Sequence, residues 1–168
     1  MNLYFMRHGI AVDRGDTGKP SDDRERALTP KGIKRMRKAA NGLLSLSLRL
    51  DRILTSPLER ARQTAQIVAE TLHMQDRLEE IQELCPDRSV QDLLSGLAAY
   101  SGEKNILLVG HEPLLSSTVS LLLSGKTGAE IRLKKGGLCC LEVDGFPPKK
   151  SAVLHWALTP KQLRLLAG

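Results

Sequence analysis

Apolar and polar positions follow two different periods along this chain. Asn2 to Met6 and Asn105 to Val109 are short, unbroken apolar runs bounded by polar residues, the pattern of strands buried on both faces. Arg52 to Thr55 is a shorter strand of the same kind. Elsewhere the apolar residues recur at helical spacing. Thr29 and Pro30 supply an N-cap and a first-turn proline, and Ile33, Met36, Ala40, Leu43 and Leu44 follow, so a helix is predicted to about Leu48. Leu58, Ala61, Ala65, Val68 and Leu72 stripe a second helix, with Ser56 and Glu59 as a capping box and Pro57 at its first position. A third helix is expected over Ser89 to Tyr100, and a fourth starts near Pro113. Leu138 to Val143 and Ala152 to Leu158 read as strands pairing around the Gly145-Phe146-Pro147-Pro148 turn, and a short helix begins at Pro160. Ile10 to Ala27 is polar and reads as a long loop, a kind of segment that is often functional.

Strands that alternate with helices imply an α/β fold, a three-layer α/β/α sandwich around a mostly parallel central sheet. The sequence contains no internal repeat, linker or low-complexity tract, so residues 1–168 are expected to form one domain. Aromatic residues make up only 3% of the chain, so Leu, Ile, Val and Ala must build the core, and base-stacking platforms for nucleic acid are not expected. The net charge of +6 is compatible with nucleic acid, an anionic surface or an acidic small substrate, and the cluster Lys31, Lys34, Arg35, Arg37 and Lys38 reads as a solvated helix face. Cys85, Cys139 and Cys140 are odd in number, and the adjacent pair would point to opposite faces of a strand, so reduced thiols in a cytoplasmic protein are expected. The N-terminus shows no signal segment and no apolar run is long enough to cross a bilayer, so no membrane partner is expected.

The chemistry lies at the ends of the predicted strands. Arg7-His8-Gly9 closes the first, Ser56 follows the second, and Gly110-His111-Glu112-Pro113 follows the apolar strand at Asn105 to Val109. In sheets of this class ligands bind beyond the carboxyl ends of the strands, so parallel pairing would bring all three segments to one edge. Arg60 would stand in the first turn of the second helix, where free amides and the helix dipole already favour an anion. Two imidazoles and two guanidiniums together suit in-line attack on phosphorus: one imidazole as nucleophile, the cations on the phosphoryl oxygens. His73, near a helix end, and His155, inside a strand, lack such neighbours and read as structural. Arg62 faces away from Arg60 and reads as a surface charge.

These blocks resemble the histidine phosphatase superfamily, the relatives of phosphoglycerate mutase. The resemblance rests on Arg7-His8-Gly9, on Ser56-Pro57-Leu58-x-Arg60-Ala61-x-Gln63-Thr64-Ala65 and on Gly110-His111, and it spans residue 1 to about residue 124. Arg26-x-Leu28-Thr29-Pro30-x-Gly32 and the small size are similar to its SixA-type phosphohistidine phosphatase branch. The resemblance implies a phosphoglycerate mutase-like fold and a phosphatase that works through a phosphohistidine on His8, with Arg7, Arg60 and His111 on the phosphoryl oxygens. Ser56 and Gly9 would help line the substrate site. Members usually carry an acidic residue before the third helix; Glu83 is the matching position for a proton donor, in surroundings that depart from the mutases. A phosphohistidine protein is the implied substrate, with a small phosphorylated metabolite as the alternative, and a monomer without cofactor is expected.

Other chemistries lack their residues. A cysteine phosphatase needs an arginine at a set distance after its cysteine, where Cys85 is followed by Gln91. Asp16-Thr17-Gly18 lies in a polar loop without apolar flanks, unlike an aspartic protease motif. No P-loop, H-E-x-x-H or G-x-G-x-x-G sequence occurs. His8 and His111 have no obvious third ligand, so no metal is expected. A different class, a basic anion- or nucleic-acid-binding module without catalysis, would be marked by salt-sensitive binding and no turnover.

Overall fold

The computed structural model describes residues 1–13 and 23–168. Its strands are β1 (Asn2–Arg7), β2 (Arg52–Thr55), β3 (Leu78–Glu80), β4 (Asn105–Gly110), β5 (Leu138–Glu142) and β6 (Val153–Leu158). Its helices are α1 (Pro30–Ser45), α2 (Glu59–Leu72), α3 (Val90–Leu97), α4 (Leu114–Ser124) and α5 (Pro160–Leu165). The six strands form one sheet in the order β3-β2-β4-β1-β5-β6. β1, β2, β3 and β4 run parallel, and β5 and β6 complete the sheet antiparallel.

Alternation along the strands divides the core in two. Leu3, Phe5, Leu54, Ile106 and Leu108 face one layer with Leu93, Leu97, Leu115 and Val119 of α3 and α4. Tyr4, Met6, Ile53, Leu107 and Val109 face the other, with Met36 and Leu43 of α1, Ala65 and Val68 of α2, and Leu163 of α5. Cys139 joins the first cluster and Cys140 the second, as period two requires of neighbours, and both are buried free thiols. The expected three-layer sandwich is therefore present.

Local details differ in three places. α1 stops at Ser45, and Ser47 turns the chain with φ of 50°. The third helix keeps α geometry only to Leu97, with a tighter turn over Ala98–Tyr100; Ser89 caps it in a box with Asp92. β3 is an addition. It is three residues long with Glu79 and Glu80 exposed, so it carries no alternation that the sequence could display. The 10–27 loop has a bridge between Ala11 and Leu28 and a short helical turn at Asp23–Glu25; Asp16-Thr17-Gly18 lies outside the described residues.

Candidate active site

The sheet register brings the two histidines together. Arg7 stands opposite Gly110, so the next residue of each strand, His8 and His111, leaves the sheet at the same carboxyl edge. The His8 amide donates to the Gly110 carbonyl at 3.1 Å, and the two rings lie 5.1 Å apart, centroid to centroid. Both are nearly closed off from solvent, at 7% and 2% exposure. β2 ends beside them, delivering Ser56 and, through the first turn of α2, the buried Arg60.

Hydrogen bonds fix how each ring is presented. His8 Nδ1 lies 2.7 Å from the Gly9 carbonyl oxygen, which only accepts, so Nδ1 carries the hydrogen and Nε2 keeps its lone pair. Gly9 is held in turn: its amide donates to Thr64 Oγ1 at 3.0 Å. A Cβ on Gly9 would approach Met36 Cγ to 2.7 Å, so glycine allows β1 to run this close to α1. His111 Nε2 bonds Ser56 Oγ at 2.9 Å, while its Nδ1 is buried and has no partner among the described residues. Arg7 is anchored through Nη1 to the Leu133 carbonyl at 3.0 Å, and its buried Nε is likewise unpartnered. Arg60 donates to Asp23, to the backbone oxygen at 2.6 Å and to Oδ2 at 3.0 Å. This guanidinium thus already accommodates a carboxylate oxyanion.

The electrostatics keep the rings neutral. Burial, above all, pushes His8 down to about 3; Arg60, Arg7 and Lys135 push the same way, against the Gly9 hydrogen bond. His111 is also pushed down to about 3, first by burial and then by His8 and Arg60, with Asp23 opposing. A neutral Nε2 on His8, surrounded by fixed positive charge, has the chemistry that attack on an anionic electrophile requires.

The family model of the histidine phosphatase superfamily, branch 1, matches residues 3–85 of this chain. An uncharacterised protein of Picosynechococcus sp. is 40% identical over 140 residues, which is 82% of this chain and 82% of its own. The chain belongs to the histidine phosphatase superfamily. The phosphohistidine phosphatase SixA of Escherichia coli is 28% identical over 168 residues, 98% of each protein. A solved structure of the protein histidine phosphatase SixA complexed with tungstate superposes with a TM-score of 0.83 at 27% identity, covering 97% of this chain and 99% of that one. This histidine phosphatase is of the SixA type, with the phosphoglycerate mutase-like fold of that group.

Of the residues expected in the histidine phosphatase site, Arg7, His8, Gly9, Ser56, Arg60 and His111 are gathered at one sheet edge. Glu83 is not. The Gln82–Leu84 turn buries Leu84, and the Glu83 side chain lies instead against Gly96 of α3, in a cleft with Arg88, Asp92 and Ser95. Ser56 is also corrected: α2 starts at Glu59 behind an extended Leu58, with no side-chain cap. The Ser56 hydroxyl accepts instead from the Leu58 amide at 3.3 Å and faces His111. Glu59 binds Gln63 and the exposed Arg62, which lies outside the cluster as expected. Thr64, which holds the Gly9 amide, and Asp23, which holds Arg60, also support the site, and no local sequence pattern marks either for that role. Among the described residues no group of three or more His, Cys, Asp or Glu side chains is arranged to hold a metal ion, and no helix is long and apolar enough to cross a membrane.

Proposed function

We propose that this phosphatase removes the phosphoryl group from phosphohistidine on a protein, through a phosphorylated His8. The observation that carries the reading is the His8 Nδ1–Gly9 bond, which leaves Nε2 as the attacking atom beside three phosphoryl-binding groups. Nε2 forms a bond to phosphorus as the bond to the leaving nitrogen breaks in line with it. Arg7 Nε, the Arg60 guanidinium and His111 Nδ1 take the equatorial oxygens, the first and last being buried and without a partner among the described residues. For His111 to donate there, Ser56 gives its hydroxyl hydrogen to Nε2, which sets the Nδ1–H tautomer. Asp23 cedes Arg60 to the incoming phosphoryl group. Water then attacks the phosphorus on His8, giving inorganic phosphate and the free imidazole.

Substrate choice follows from leaving-group chemistry. An imidazole leaves with less proton donation than an alkoxide, and Glu83, held against α3, has no step in this scheme. The similarity to SixA, which has bound tungstate, a tetrahedral oxyanion, supports the same substrate class. The buried, unpaired cysteines suit a reducing, cytoplasmic setting. The decisive experiment compares a phosphohistidine protein with a panel of phosphosugars. A kcat/KM higher for the phosphoprotein by at least about tenfold, equivalent to ~1.4 kcal/mol, supports the reading. Preference for a phosphosugar would replace it with the small-phosphoester alternative.

A further inference from the structure

A cavity of about 190 Å³ adjoins the active site, and Gly9 and Ile10 form its inner wall. It therefore begins at the residue that follows the nucleophile. Its rim carries Arg35 from α1, Lys134 and Lys135 from the segment before β5, and Lys161 and Arg164 from α5. Among the described residues no carboxylate lines it and none pairs with these five cations. Like charges around a small concavity repel one another and focus a positive field into it, an arrangement that favours an anionic guest.

The basic wall is tied to the catalytic strand. Gly136 donates its amide to the carbonyl oxygens of Arg7 and His8, at 2.9 and 3.1 Å, and Arg7 grips Leu133 from the other side. Gly136 has φ of 79°, and a Cβ there would meet Met36 Sδ at 2.9 Å, so a glycine is needed for this close approach. Lys135 is near enough to His8 to help depress its protonation. The floor has a different character, being lined by Ile10, Met36, Ala39 and Pro160. An apolar floor under a cationic rim fits a guest with a short aliphatic stem and an anionic head, more closely than it fits a bare phosphate.

We infer that this cleft seats a glutamate or aspartate side chain of the phosphorylated protein, so that the enzyme selects phosphohistidine with an acidic neighbour. The inference rests on the phosphohistidine reading above and adds the charge context that the phosphoprotein must supply. Cation and carboxylate here act between molecules, so their effect appears in association and KM and weakens with salt.

The test uses two chemically phosphorylated histidine peptides, identical except that one carries Glu where the other carries Gln around the phosphohistidine. Wild type should show a kcat/KM roughly tenfold higher for the Glu peptide at low salt, converging with the Gln peptide at high salt. K161E/R164E on α5 should abolish or invert that preference, while nitrophenyl phosphate hydrolysis stays within about twofold. K161Q/R164Q should give an intermediate loss and serves if the charge reversal does not fold. Equal rates on both peptides in wild type, or a preference unchanged in the variants, overturns the inference. If neither peptide is hydrolysed but nitrophenyl phosphate is, the phosphohistidine reading fails on its own. The unphosphorylated Glu peptide then tests the cleft as an inhibitor of nitrophenyl phosphate hydrolysis. Inhibition lost in K161E/R164E sustains a carboxylate site; no inhibition, or equal inhibition by an RNA oligonucleotide of the same charge, overturns it.

Discussion

His8 and His155 belong to the same sheet two strands apart, His8 directly following β1 and His155 lying within β6. His8 ends a central parallel strand, is buried, and faces His111, Arg7 and Arg60. His155 lies within the antiparallel edge strand β6, is exposed, and pairs with Glu142 on β5 at 2.7 Å. The second ring is exposed, and its hydrogen-bond partner is a carboxylate. Burial among cations instead holds the first ring neutral, and the Gly9 carbonyl turns its lone pair outward. Position in the sheet, more than residue type, thus separates a buried ring kept neutral among cations from an exposed ring bonded to a carboxylate.

The largest break in that contrast is His8→Ala. Turnover should fall by on the order of 10³ or more, since no other group replaces the nucleophile. His155→Ala should leave kcat/KM unchanged and stability within about 0.5 kcal/mol, the usual range for an exposed site. Steady-state rates and urea unfolding of the two variants decide this, and similar losses in both would erase the distinction.

Removing one of the proposed phosphoryl-binding groups comes next. Arg7→Ala, Arg60→Ala and His111→Ala should each cost roughly 10²–10³ in kcat, the scale for a preorganised charge-stabilising donor. Phosphate or vanadate affinity should weaken in step, and Arg60→Ala binding vanadate as wild type does would remove Arg60 from the site. Ser56→Ala acts through His111, with a smaller loss of about fivefold to tenfold, equivalent to a net hydrogen bond of about 1–1.5 kcal/mol.

Acid should separate the regions further. The buried histidines have folded values of about 3 against 6.5 as the ordinary value. Below about pH 6.5 the unfolded chain binds protons that the folded chain refuses, so their neutral burial stabilises above that pH. This contribution is lost progressively as pH falls from about 6.5 toward 3. Urea midpoints should therefore drop less between pH 7 and pH 5 in His8→Gln/His111→Gln than in wild type. Parallel curves would contradict the neutral, desolvated pair. The acid limb of kcat/KM should lie well below 6.5 for the same reason.

How much of this was readable from the sequence depended on the reach of each interaction. β1 and β4 were legible because a strand buried on both faces is an apolar run, and their ends located both histidines. β3 was not, since two of its three residues are exposed glutamates. Ser56 was misread because Ser-x-x-Glu has the spacing of a cap, whereas its hydroxyl accepts from the nearby Leu58 amide and bonds His111, 55 residues away. Glu83 was misplaced for a related reason: a short turn decides which side chain goes inward, and there it is Leu84. Asp23 and the Leu133 to Gly136 segment reach the site through tertiary contacts, for which the sequence carries no local pattern.

The central claim is that His8 Nε2 accepts the phosphoryl group, and a rapid-quench experiment with a labelled substrate tests it most directly. During turnover the wild type should carry an acid-labile, alkali-stable label, located on Nε2 of His8 by peptide mapping and absent from His8→Ala. Label on another residue, or undiminished labelling and turnover in His8→Ala, would contradict the account.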